Sequence, residues 1–250
     1  MFDLNSISYY ILSAFAVLVT LSVHEYCHGY AAYKLGDPTA KNLGRLTLNP
    51  IKHLDPIGAI CMVFFHFGWA KPVPINARYF KNPKRDFAIV AIAGPLSNLV
   101  VSFFSALIYL LIYASFRDVA FVPNSFSLML VQNVLSFFYL FHLINIGIAI
   151  FNLIPIPPLD GSRILNVILP EKTYFEIMKY ERTIYYALLG WLLLGDYVAS
   201  FMLSVPLIAA NPILSFVAQI FSLSDLLGYA IEGISSLMIK FWELIPFLKV

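Results

Sequence analysis

The chain has 250 residues, of which 60% are hydrophobic and only 12% charged, with a mean hydropathy of +0.80. Apolar runs this long and this numerous exclude an ordinary soluble core and predict an all-α polytopic membrane protein embedded in a lipid bilayer. A net charge of +2 gives no reason to expect a nucleic-acid partner, and Cys27 and Cys61 are too few for a disulfide framework.

The first apolar run covers residues 7–35 and stops at Gly36-Asp37-Pro38. No basic stretch precedes it, so a cleavable leader is not expected. Its last third carries His24-Glu25-Tyr26-Cys27-His28. On a helix, His24 and His28 stand one turn apart on one face, where two neutral imidazoles can hold one Zn²⁺. Glu25 is turned by about 100°. That places it beside such a metal, where the base for an attacking water belongs. Ionisable residues within a span are costly in lipid, which favours function over packing for all three. Cys27 is read as a small packing residue, with a thiolate ligand as the alternative.

Residues 34–85 hold nine of the sixteen basic side chains, which predicts a cytoplasmic segment. Inside it, residues 56–68 are apolar but too short to cross and read as a re-entrant or shallow helix. Two short extended pieces, 44–48 and 70–75, flank that stretch. A second span is predicted from about 86 to 116, with Gly94-Pro95-Leu96-Ser97-Asn98 near its start. The loop at Arg117-Asp118 then falls outside. A third span, from about 126 to 153, returns to the first side.

Pro155, Pro157 and Pro158 stop that third span just before Asp160-Gly161. Arg163, Lys172, Lys179 and Arg182 repeat the cytoplasmic signal. The apolar region from 184 to about 221 is broken at Gly195-Asp196, Pro206 and Asn211-Pro212 into one span with shorter pieces, or two spans. The total is about five to six membrane segments. Residues 1–222 are taken as one membrane domain. Residues 223–250, with Asp225, Glu232, Ser236, Lys240 and Glu243 near one stripe, read as an amphipathic interfacial tail.

A catalytic zinc needs three protein ligands and one open position. Asp160 lies on the same side as the end of the first span and is the candidate third ligand. The competing reading makes Asp160-Gly161 a simple turn. His142, Asn145 and Asn152 fall near one face of the third span. An interhelical hydrogen-bond seam accounts for the first two. Asn152 either caps a helix end or works in the site, and Asn98 either satisfies a carbonyl freed by Pro95 or does the same.

With those residues in place, the sequence resembles the site-2 protease family of intramembrane zinc metalloproteases. The resemblance rests on His24-Glu25-Tyr26-Cys27-His28, on Gly94-Pro95-Leu96-Ser97-Asn98, and on Asn152 with Pro155, Pro157, Leu159, Asp160 and Gly161. It covers roughly residues 8–169 and looks like the small branch without PDZ or CBS domains. It implies one zinc per chain held by His24, His28 and Asp160, and Glu25 as the base. It also implies Asn152 and Asn98 as helpers of the substrate carbonyl. The HExxH helix, the GPxxN helix and the LDG segment would form the catalytic core. The implied substrate is a transmembrane protein, and the implied location is a prokaryotic plasma membrane with the zinc nearer the cytoplasmic side. Two rivals stay open: a zinc-binding scaffold of the same fold without turnover, which would not need Glu25, and a zinc transporter, which would need more ligands at mid-depth.

Overall fold

The computed structural model describes residues 4–58, 70–123, 125–220 and 222–249. The described residues are almost wholly helical. The long helices are α1 (Leu4–Lys34), α4 (Pro83–Phe116), α5 (Phe126–Leu153), α8 (Glu181–Leu203) and α11 (Leu223–Trp242). Shorter helices join them: α2 (Thr39–Asn42), α3 (Pro50–His53), α6 (Asp160–Ile168), α7 (Glu171–Lys179), α9 (Pro206–Ala209) and α10 (Pro212–Ile220).

Local chemistry sets the ends. Gly36 takes φ +107, a left-handed conformation that a glycine adopts without strain, and turns the chain out of α1. Asn82 accepts from the Arg85 N–H, Pro83 occupies the first turn, and Asp86 complements the positive end of α4. Ser125 caps α5 and Ser222 caps α11 in the same way.

Among the described residues, four helices are long and apolar enough to cross a membrane: Ile7–Lys34, Pro83–Phe116, Phe126–Leu153 and Glu181–Leu203. The pair α10 and α11, bent by 89°, makes a fifth if read as one span. The expected five to six segments therefore come down to four, or at most five. The reason is the region from 184 to about 221, where Pro206 and Pro212 open short helices and, of α8, α9 and α10, α8 alone has the length to cross. The expected re-entrant helix at 56–68 turns helical at residues 56–58, and the rest of it lies outside the described residues.

Helices α1, α4 and α5 pack together, α6 closes one end against α4, and α11 lies against α5 and α4. Their buried faces are marked by small and polar residues rather than by greasy ones. On α1 the stripe is Ala16, Thr20, His24, His28 and Ala32; on α4 it includes Ala91, Gly94, Asn98, Ser102 and Ser105. Small side chains let helix backbones approach closely, and polar ones bond across the gap, where lipid offers no hydrophobic drive between helices. Large apolar residues such as Ile11, Phe104, Met129 and Phe201 point outward instead.

The two extended pieces do not form strands. The described residues contain one isolated antiparallel bridge, Leu54 with Ala70. Residues 44–48 are a turn and irregular backbone, entered through Gly44 at φ +64. In 70–75, Pro72 and Pro74 have no N–H to give. What joins the pieces is a side chain: Arg45 Nη2 donates to the carbonyls of Lys71 at 2.8 Å and Pro72 at 3.3 Å.

Candidate metal centre and its surroundings

His24 and His28 sit in the last third of α1, on its buried stripe, at 4% and 6% exposure. Asp160 opens α6. The prolines after α5 prevent continuation of that helix, and the chain turns through a cis Pro157-Pro158 bond before α6 begins. Asp160-Gly161 is thus the start of a helix and not a turn. Gly161 is needed there because a Cβ would strike the carbonyls of Leu153 and Ile154 at the end of α5. The close approach of the two helix ends brings Asp160 back over α1.

Three ligand atoms meet. His24 Nε2 lies 2.9 Å from His28 Nε2, and each lies 3.1 Å from Asp160 Oδ2. These three residues form the cluster among the described residues that could hold a metal ion. The edge of a tetrahedral zinc shell with bonds of 2.0–2.1 Å is about 3.3 Å, so the observed triangle matches the ion's demand closely. The Asp160 side chain keeps 23% of its surface exposed, which leaves the site open on that side.

The far side of each imidazole is also engaged. His28 Nδ1 donates to the Val90 carbonyl at 2.7 Å. A carbonyl only accepts, so the proton is on Nδ1 and the Nε2 lone pair faces the cluster. Pro95, inside α4, cannot close the rung to Ala91, and the ladder is weakened beside Val90. On His24, the Asn98 amide nitrogen stands 3.1 Å from Nδ1, while Asn98 Oδ1 is buried without a partner. The Asn98 amide is bonded to His24 and so is not spent on the Ala91 carbonyl that Pro95 leaves free. Both imidazoles press on Gly94, where a Cβ would overlap them.

Glu25 is half-buried and accepts the Val73 N–H at 2.7 Å through Oε2. That contact ties residues 71–75 to α1, and Lys71 N–H is spent on the His53 carbonyl. Asn152 does not join the cluster by any hydrogen bond; its amide donates to the Ile148 carbonyl one turn back at 3.0 Å. Cys27 is free and half-buried. The Val90 carbonyl and the Val73 N–H escaped sequence reasoning because backbone groups leave no trace in a motif.

A model of peptidase family M50 matches residues 12–195, which include all three cluster residues, Glu25 and both asparagines. The protein belongs to peptidase family M50. YwhC of Bacillus subtilis (strain 168) is 45% identical over 62% of this chain and 67% of its own length. Rip2 of Mycolicibacterium smegmatis is 29% identical over 68% of this chain and 62% of its own. The zinc metalloprotease MJ0392 of Methanocaldococcus jannaschii is 31% identical over 62% of this chain and 34% of its own. The matches therefore span about two thirds of the length of these M50 relatives or less. No solved structure matches the chain. Family, membrane spans and ligand cluster agree on a zinc metallopeptidase embedded in the membrane, which bears out the resemblance to the site-2 proteases.

Proposed function

We propose that this M50 peptidase cleaves peptide bonds within or near the transmembrane segments of other membrane proteins, with one zinc held by His24, His28 and Asp160 and with Glu25 as general base. The observation that carries it is the meeting of three ligand atoms at 2.9–3.1 Å, two of them on a membrane span that also carries the Glu25 carboxylate next to His24. With both Nε2 lone pairs turned to the Asp160 carboxylate, three acceptors face one another at a largely buried site, which is unstable without a cation between them. When bound, zinc acts as a Lewis acid that lowers the pKa of a coordinated water toward about 7 and polarises the scissile carbonyl.

The protein residues do the rest. Glu25 takes the proton of the attacking water and passes it to the leaving amine. The Val73 N–H anchors Glu25 Oε2 and so fixes the carboxylate while its other oxygen works. Asn152 supplies a hydrogen-bond donor to the carbonyl oxygen after its amide leaves Ile148. Residues 94–98 on α4 and 159–161 at the head of α6 complete the catalytic core. A substrate helix hides its carbonyls in its own hydrogen bonds and must unwind locally before it can react.

Glu25 speaks against a scaffold without turnover, since pure binding needs no base beside the cluster. A transporter would need further ligands at mid-depth, and among the described residues the grouped ligands are His24, His28 and Asp160. On the basic-residue bias, the end of the bundle that holds the metal faces the cytoplasm of a prokaryotic plasma membrane. The Lys84–Glu171 ion pair at 3.3 Å keeps the two basic segments on that same end. Cysteine labelling from outside the cell is expected to reach position 118 and to miss positions 41 and 172; labelling at all three overturns the topology.

Comparative membrane proteomics of cells carrying wild type or Glu25→Gln identifies the substrate. Membrane proteins or membrane-anchored fragments that persist only with Glu25→Gln support intramembrane cleavage. Persistence restricted to soluble proteins contradicts it.

A further inference from the structure

We propose that Asn98 is a positioning residue for His24: its side-chain carbonyl accepts the His24 Nδ1–H and fixes the tautomer that frees Nε2 for the metal. The proposal rests on the zinc reading of the cluster. It gives Asn98 a different part from that of a donor to the substrate carbonyl.

A neutral imidazole has one N–H and one lone pair. His24 Nε2 is turned toward His28 Nε2 at 2.9 Å and Asp160 Oδ2 at 3.1 Å. If that nitrogen is a ligand, it carries the lone pair, and the proton belongs on Nδ1. The partner of Nδ1 is then an acceptor. Among the described residues the group bonded to it is the Asn98 amide, whose nitrogen stands 3.1 Å away and whose oxygen is buried without a partner there. With the amide turned that way, two donors would face each other. Asn98 is fully buried, so solvent does not relieve the conflict.

A half-turn of the amide exchanges O and N, which have nearly the same size and shape. The carbonyl oxygen then meets the Nδ1–H at hydrogen-bond distance, and the acceptor orphaned now gains its donor. His24 and His28 become alike: each gives its Nδ1–H to a carbonyl on α4, His28 to the backbone of Val90 and His24 to the side chain of Asn98. Such outer partners set ring orientation and ligand basicity, and their loss weakens metal binding by about 10–100-fold. In this orientation the amide N–H₂ points away from His24. The residue's contribution is its acceptor and not its donor.

Substituting the acceptor and the donor separately tests this. Asn98→Asp keeps an acceptor and removes the donor; Asn98→Leu has similar bulk and neither group. Zinc affinity is measured on the purified, detergent-solubilised full chain by competition with a chromophoric chelator. The expected result is an affinity within a few-fold of wild type for Asn98→Asp and a loss of about 10–100-fold for Asn98→Leu.

Wild-type zinc affinity in Asn98→Leu overturns the proposal. So does an Asn98→Asp variant whose zinc affinity falls about 10–100-fold below wild type, because an acceptor at that position then makes no difference. The second result is readable even if Asn98→Leu fails to fold. Wild type that folds without taking up zinc is a different failure, that of the zinc reading itself.

Discussion

His24 and His28 on one side of the bundle and His142 on another are all buried in apolar helices, yet their partners differ in kind. His24 and His28 turn their Nε2 atoms toward each other and toward a carboxylate. His142 meets groups that can satisfy it on both sides: Ser102 Oγ at 2.7 Å and the Ser102 carbonyl at 3.0 Å from Nδ1, and Ser235 Oγ at 2.9 Å from Nε2. The carbonyl accepts an Nδ1–H and the Ser235 hydroxyl can donate to Nε2, which leaves nothing to be filled. A second imidazole and a carboxylate cannot do this for two histidines once both Nε2 atoms carry lone pairs, as the proposed part of Asn98 requires. Burial alone does not mark a metal site; unsatisfied acceptors that converge do. The same helices thus carry one seam that holds α4, α5 and α11 together and one site that needs a cation.

Removing a cluster member should break the comparison most completely. Asp160→Ala is expected to abolish stoichiometric zinc, read by elemental analysis of purified protein, and cleavage with it. Zinc content unchanged in that variant would take Asp160 out of the site. Gly94→Ala comes next, because the added Cβ must displace the ligand imidazoles themselves. Zinc affinity is expected to fall by about 10–100-fold, the range for a disturbed ligand shell, although the substitution adds only one methyl group.

His142→Leu should show the smallest effect. It leaves the Ser102 and Ser235 hydroxyls without their ring partner, at a cost of about 1–2 kcal/mol for interhelical hydrogen bonds in a membrane protein. A lower thermal midpoint in detergent with zinc content and cleavage at wild-type level is the expected outcome. Loss of zinc in His142→Leu would show that seam and site are not separate.

How much of this could be read in the sequence follows the same division. His24, Glu25 and His28 were legible because their chemistry depends on side-chain spacing along one helix. Asp160 was legible because the prolines at 155, 157 and 158 fix where α5 ends. That it begins a helix rather than a turn was not, since the reason lies in the contact of Gly161 with the carbonyls of Leu153 and Ile154. The seam of His142 was anticipated as an interhelical bond; its partners on α4 and α11 required the fold. The extended pieces around Leu46 and Val73 had the look of strands, but Pro72 and Pro74 withhold N–H groups, and Glu25 and Arg45 take up what remains. The span count was overestimated where hydropathy continues but prolines divide the helix, beyond α8.

The central claim is that zinc and base are separate parts of one site, and Glu25→Gln tests it most directly. Gln keeps the shape and can still accept the Val73 N–H, but it cannot take a proton from water. Purified Glu25→Gln is expected to retain one zinc per chain and to cleave a transmembrane peptide about 10²–10⁴-fold more slowly than wild type. Cleavage at the wild-type rate with zinc in place would contradict the account.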